Sequence, residues 1–275
     1  MSRHRSLPRP VIPGREQIQA LTRSARHPLW WLPDPAAQQD EAYRRVWQNL
    51  RTLECVEDGR HDEARWRHLP GDFAMCCVRA PSSCFTSDLG DLRAALESFP
   101  FVRLHPDSSL HIPILELGIV RDEPSERDEI SRNRLGEFIT QAQRPLVDFP
   151  RFPVFLGPVN SFADAVFLDV HDGGWLSRIH RRLIDFGPVP PSTKFPYLPH
   201  LTLGHYDRAA PIGNLPAVLA EWRDLPIGEF LIEHVDVVTV DTNAAFPPFQ
   251  VVHEFALGTT RATGTFPTRP DPLGD

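Results

Sequence analysis

The sequence predicts an α+β chain whose two halves repeat one order of elements. Two short aliphatic strands each carry a histidine, His111 in Leu110-His111-Ile112-Pro113-Ile114 and His200 in His200-Leu201-Thr202-Leu203, 89 residues apart. Around each of them the patterning alternates between strand and helix periods in the order strand, helix, histidine strand, helix, strand. At 275 residues the chain can bury a sizeable core, as one large domain or two small ones. A pseudo-two-fold made from such halves would bring His111 and His200 into one groove.

Residues 1–33 form a basic arm, with Arg3, Arg5, Arg9, Arg15, Arg23 and Arg26 against Glu16, about +5 by side chains. Prolines interrupt it, and it reads as an unstructured tail or an arm that touches RNA or a partner, while Trp30-Trp31-Leu32-Pro33 is apolar enough to pack onto the domain. A helix is expected over 35–54, capped by Asp34 with Pro35 in its first turn and Ala42, Val46, Leu50 and Leu53 on one face. Residues 56–70 connect it to a buried strand, Asp72 to Arg79. A helix follows over Ser87–Ser98, with Leu89, Leu92, Leu96 and Phe99 inward. Short strands are expected at Phe101–His105 and Leu110–Leu117. Ser125, with Asp128 three residues on, has the form of a capping box opening a longer helix that Pro145 ends. Its apolar face is Ile130, Leu135, Phe138, Ile139 and Ala142. Phe152–Leu156 reads as a strand.

The second half begins with a strand at Ala165–Val170. Gly173-Gly174 makes a turn into a helix marked by Trp175, Leu176, Ile179 and Leu183. A Pro-rich loop over 187–199 leads into the His200–Tyr206 strand. Asn214 is expected to cap a short helix carrying Leu215, Val218, Leu219 and Trp222. Strands at Phe230–Val240 and Gln250–Leu257 close the fold, and 259–275 reads as a disordered tail.

Composition narrows the class. The formal net charge of −7 gives no general attraction for nucleic acid, so any phosphate site must be local. Lys194 is the only lysine among 29 basic side chains. Cys55, Cys76, Cys77 and Cys84 lack paired CxxC spacing and read as reduced thiols rather than a zinc knuckle. No leader or run of about 18 apolar residues is visible, and a cytoplasmic protein is expected. His105, His171, His180, His205, His234 and His253 show no metal-ligand spacing, and His171-Asp172 stands without the partners a metal phosphohydrolase needs. No metal and no cofactor are expected.

In a strand, His200 and Thr202 share one face while Leu201 and Leu203 take the other. A lone histidine in an apolar strand is usually structural, and a strand threonine is ordinary β-propensity; the second histidine strand is what raises the reading. His200-Leu201-Thr202-Leu203, preceded by Pro199, and His111-Ile112-Pro113-Ile114 resemble the paired His-x-Thr/Ser-hydrophobic marks of the two-histidine phosphoesterase superfamily, the 2′-5′ RNA ligase-like and cyclic phosphodiesterase proteins. The resemblance covers about residues 72–258 and departs at Pro113, where that family has Thr or Ser. It implies a two-lobed, pseudo-symmetric duplicated fold, with antiparallel sheets around a central cleft and helices outside. Residues 1–71 are then an N-terminal extension.

The resemblance also implies metal-independent phosphoesterase chemistry on a 2′,3′-cyclic phosphate, 2′-5′ linked RNA or a small cyclic nucleotide. His111 and His200 would be the acid–base pair, since imidazole can hold either role near neutrality. Which one starts as base stays open. Thr202 would grip the phosphoryl group, with Ser109, Tyr197 and His205 as further substrate contacts. Ser109 would face the same side as His111 in a regular strand, Tyr197 could stack a base, and His205 and Arg208 follow the motif strand. The expected partner is an RNA end or small nucleotide, met by a monomer. Pro113 has neither hydroxyl nor N–H, and one lost hydrogen bond to an anion costs about 1.5–3 kcal/mol, one to two powers of ten in rate. The alternative is a catalytically weak member that binds RNA or a nucleotide. A third reading makes 1–71 a partner-binding segment.

Overall fold

The structure, a computed structural model, describes residues 34–60, 71–190, 196–244 and 246–261. The basic arm, Lys194 and the tail beyond 261 lie outside the described residues. In chain order the elements are α1 (Pro35–Leu50), β1 (Cys55–Val56), β2 (Asp72–Arg79), α2 (Asp88–Glu97), β3 (Val102–Leu104), β4 (His111–Arg121), β5 (Glu129–Ser131), α3 (Arg132–Val147), β6 (Pro150–Ser161), β7 (Ala165–His171), α4 (Trp175–Ile184), β8 (His200–Tyr206), β9 (Ala210–Pro211), α5 (Leu215–Ala220), β10 (Gly228–Ile232), β11 (His234–Asp241), β12 (Gln250–Ala256) and β13 (Gly258–Arg261). None of the described helices is long and apolar enough to cross a membrane.

Two sheets carry the architecture. One runs β12-β11-β2-β4-β5 and the other β10-β6-β7-β8-β3, with β13 beside β6. Neighbours are antiparallel except β4–β5 and β6–β13. The histidine strand takes the same place in each sheet, next to the central strand β2 or β7, and β4 lies against β8. The repeated grammar is therefore a repeated topology. One core runs through both sheets and their helices, including Ile112, Ile114, Leu201, Leu203, Leu92 and Ile179. A second, smaller cluster of Phe73, Met75, Cys77, Ile119, Val238 and Val240 covers the opposite face of the first sheet. Cys76 and Cys77, adjacent on β2, each enter one of these clusters, and all four cysteines are free thiols.

Four local expectations are corrected. The inward face of α1 is Gln39, Tyr43, Trp47 and Leu50, not Ala42 and Val46. Its aromatic residues reach further: the Tyr43 hydroxyl meets the carbonyls of Val170 and Pro199, so α1 holds the residue just before His200. The Ser125 segment is a loop, not a helix. There the Glu129 carboxylate accepts from the Ser125 and Glu126 N–H groups at 2.8 and 3.1 Å. Ile130 joins a strand against Val120, and Ser131 caps α3 instead, accepting from Arg134 N at 3.1 Å. Pro145 lies inside α3 rather than ending it, because in the last turn its missing N–H forfeits a single bond. Asn214 precedes α5 without a side-chain cap.

The largest correction is at Phe230–Val240, which is two strands. The chain breaks at Glu233, sending β10 to β6 and β11 to β2, so the two parts serve different sheets. Glu233 is fixed at the crossover by Leu257 N on its carbonyl and Arg151 on its carboxylate. At the other end of the chain, residues 259–261 extend β13 rather than starting the tail.

Gly204 marks how closely β3 is laid on β8. A Cβ there would sit 2.6 Å from the Arg103 carbonyl oxygen and 3.0 Å from Leu104 Cα, both backbone atoms that cannot rotate aside. Gly204→Ala is expected to destabilise the protein by about 1–3 kcal/mol, the usual range for overpacking. A thermal melt checks this; an unchanged midpoint would mean β3 is free to shift.

Candidate active site

His111 and His200 are each the first residue of their strand, and each is anchored in the same way. His111 Nδ1 lies 2.8 Å from the carbonyl of Ser109, and His200 Nδ1 lies 2.8 Å from the carbonyl of Leu198. A carbonyl can only accept, so in both rings Nδ1 carries the proton and Nε2 is the atom left for chemistry. The neutral form of each then offers a lone pair at Nε2, and the charged form offers a proton there.

The strands share a second device. Opposite β7, Thr202 pairs with Phe167 and Gly204 with Val166, which leaves Leu203 as a bulge. Opposite β2, Pro113 pairs with Cys77 and Leu115 with Cys76, which leaves Ile114 as a bulge. Both bulges fall three residues after the histidine. A bulge shifts the alternation by one, so the residue five places on returns to the histidine's face. On β8 this groups His200, Thr202 and His205, all partly exposed, against the buried Leu201, Leu203, Gly204 and Tyr206. On β4 it groups His111, Pro113 and Glu116.

Both histidines are held below their ordinary value. Burial pulls His111 down to about 4, the Ser109 carbonyl opposes this, and positive charge on His200 or His205 lowers it further. His200 is also lowered, first by burial, with the Leu198 carbonyl opposing and His205 adding to the fall. A fourth imidazole joins them. His105 Nε2 lies 2.9 Å from His205 Nδ1, and burial with the charges of His205 and His111 takes His105 down to about 3. The site thus gathers four imidazoles in walls supplied by aromatic rings, and charge on His205 would lower His105, His111 and His200 alike. Phe249 meets His111 edge-on at 5.0 Å, Phe246 meets His105 at 5.1 Å, and Phe162 and Phe167 flank His200. Phe246 and Phe249 both come from the β11–β12 loop, and Arg103 lies over the Phe246 ring at 4.7 Å.

Thr202 shares the face of His200, as strand alternation predicts, whereas His205 reaches that face only through the bulge at Leu203. Ser109 does not stand where the sequence places it. It ends a short 3₁₀ turn outside β4, so the regular-strand register fails and its contribution is the carbonyl under His111. Tyr197 is also redirected. One face of its ring stacks on His180 of α4 at 3.9 Å, and its hydroxyl donates to the Pro113 carbonyl at 3.1 Å, which binds the loop before β8 to β4. His180 in turn donates from Nδ1 to the Ile114 carbonyl. Tyr197 is therefore part of an internal clamp, which occupies one face of its ring and its hydroxyl. Arg208 points to the Pro100 carbonyl. His105, His180, Phe246 and Phe249 escaped the sequence reading. The aromatic pair bracketing Pro247-Pro248 was the signal for the loop, since large rings held in a stiff turn need something to pack on.

The family model of the 2′-5′ RNA ligase superfamily matches residues 85–244, more than half of the chain and both histidine strands. The chain belongs to this superfamily. No curated protein sequence matches it. Among solved structures, TT0787 of Thermus thermophilus is similar at 17% identity and a TM-score of 0.48, over 68% of this chain and 98% of that one. E. coli LigT complexed with 3′-AMP is similar at 15% identity and a TM-score of 0.47, over 68% and 98%. The conserved protein ATU0111 of Agrobacterium tumefaciens str. C58 is similar at 14% identity and a TM-score of 0.47, over 68% and 85%.

Proposed function

We propose that the protein is a phosphoesterase that opens a 2′,3′-cyclic phosphate, or cleaves a 2′-5′ linkage or small cyclic nucleotide, by acid–base catalysis between His111 and His200. The observation that carries this is the matched pair of Nδ1 anchors, which leaves Nε2 as the working atom of both rings. In cyclic-phosphate opening, one neutral imidazole takes a proton from water as its oxygen bonds to phosphorus. The other, protonated, gives its proton to the ester oxygen as the phosphorus–oxygen bond breaks. Thr202 donates its hydroxyl to a non-bridging oxygen, where negative charge develops. The ligand is an RNA end or a small nucleotide, and the chain works as a monomer. The test is an assay of purified protein on 2′,3′-cyclic nucleotides and 2′-5′ linked dinucleotides with EDTA present. Turnover is expected; none on any of these substrates overturns the reading, and strict metal dependence overturns the mechanism.

Pro113 favours a second reading, a member that binds the nucleotide but turns it over slowly. Stoichiometric binding of a cyclic or 2′-5′ nucleotide without product would establish it.

The lowered histidines set the pH dependence. Catalysis requires one charged and one neutral imidazole. Both free-enzyme values lie below the ordinary 6.5, with His111 near 4. As pH rises above the higher of the two, the acid loses its proton and kcat/KM falls. As pH drops below the lower one, the base is protonated and kcat/KM falls again. The bell is expected to lie on the acid side of 6.5, and an optimum above 7 would contradict this pair as the free enzyme's acid and base.

A further inference from the structure

A second cluster of chemistry-bearing side chains lies on β11 and β12. His234 and Asp236 are two apart on β11 and share a face. Glu254 on β12 is the direct cross-strand partner of Asp236. His234 Nε2 is 3.5 Å from Asp236 Oδ1 and 3.6 Å from Glu254 Oε1, and ligand atoms of the three residues all fall within 4.8 Å of one another. Asp236 is fully buried. Its Oδ2 accepts a 2.6 Å bond from Arg79 Nε, while its Oδ1 is buried with no hydrogen-bond partner. Directly opposed carboxylates repel. The guanidinium of Arg79 serves both of them, at 3.8 Å from Glu254.

We propose that His234, Asp236 and Glu254 form a binding site for a divalent transition-metal ion of the zinc type. Ligand bonds of about 2.0–2.2 Å put neighbouring donors of a tetrahedron roughly 3.3–3.6 Å apart, the separation found from His234 Nε2 to both oxygens. The imidazole is the ligand that favours zinc-type ions, since carboxylates alone would suit magnesium or calcium. Asp236 divides its oxygens accordingly: Oδ2 is held by Arg79 as an outer partner, and Oδ1 stays open for the ion. His234 and Glu254 are about half-exposed, so the ion has a path from solvent and water can complete its shell. The ion would tie edge strand β12 to β11. It would lie on the face that carries Arg79 and, on the next strand, His111, which is directly opposite Arg79. It takes no part in the histidine chemistry above and does not rest on it.

The test uses the full, untagged chain, stripped by chelator and titrated with Co²⁺ and then Zn²⁺. One Co²⁺ per chain with visible ligand-field absorption, displaced by Zn²⁺, is expected. His234→Gln and Glu254→Gln, at exposed positions where folding is retained by circular dichroism, are expected to weaken binding at least tenfold. Absence of stoichiometric Co²⁺ binding overturns the proposal. Binding unchanged in both variants, or a loss of thermal stability in them without any Co²⁺ binding by the parent protein, overturns it equally. The latter would leave an ion-pair cluster only.

Discussion

Replacing His111 or His200 with alanine is expected to lower kcat/KM for cyclic-phosphate opening by roughly 10²–10⁴, the range for loss of a positioned acid or base. Each ring is held at Nδ1 by one carbonyl and packed edge-on against phenylalanine, which fixes the direction of its Nε2. The double variant should be little worse than either single one, because proton removal and proton donation act as one unit. Steady-state kinetics of the three variants with EDTA present checks this, and near-normal melting shows that the fold is intact. Unimpaired turnover in both single variants would sink the assignment.

Pro113→Thr is expected to raise turnover by roughly ten- to a hundredfold, and Thr202→Ala to lower it by a similar factor, since a hydrogen bond to an anion is worth about 1.5–3 kcal/mol. The two positions are equivalent: each is two residues after its histidine and one before the bulge. Proline is tolerated at 113 for two local reasons. It adjoins a bulge, and β5 pairs β4 only at Ile119–Arg121, leaving the outer edge of β4 unpaired by β5 at that point. The backbone therefore has room for a threonine whose hydroxyl would face the site. A gain on Pro113→Thr identifies a poised but impaired enzyme. No gain, with Thr202→Ala also silent, would mean neither position touches the phosphoryl group.

The strands were legible because alternation and a β-branched or aliphatic run mark a half-buried surface. His111, His200 and Thr202 were legible because two similar short patterns stood far apart in one chain. The rest of the site was not, for physical reasons that differ by residue. Ser109 works through a main-chain oxygen, which every residue has, so its identity carried no signal. His105 and His205 meet only because β3, which follows the first half's helix, pairs with the second half's β8. The break at Glu233 leaves hydrophobicity almost unchanged while exchanging one sheet for another, and pattern alone does not name a strand's partner. Tyr197 and His180 find each other across a loop, where period says nothing. Tyr43 was hidden in a helix whose intended face was one residue off.

The bulges at Ile114 and Leu203 are where the two halves agree most closely. Side chains at matching places differ between the two halves: Pro113 stands where the other half has Thr202, and Glu116 where it has His205. The inserted residue stands at the same distance from the histidine in both halves. A kink of the main chain depends on neither side chain, so it can be shared where the side chains differ. In this protein the likeness of the two halves is carried further by a shared irregularity of the backbone than by the side chains around it.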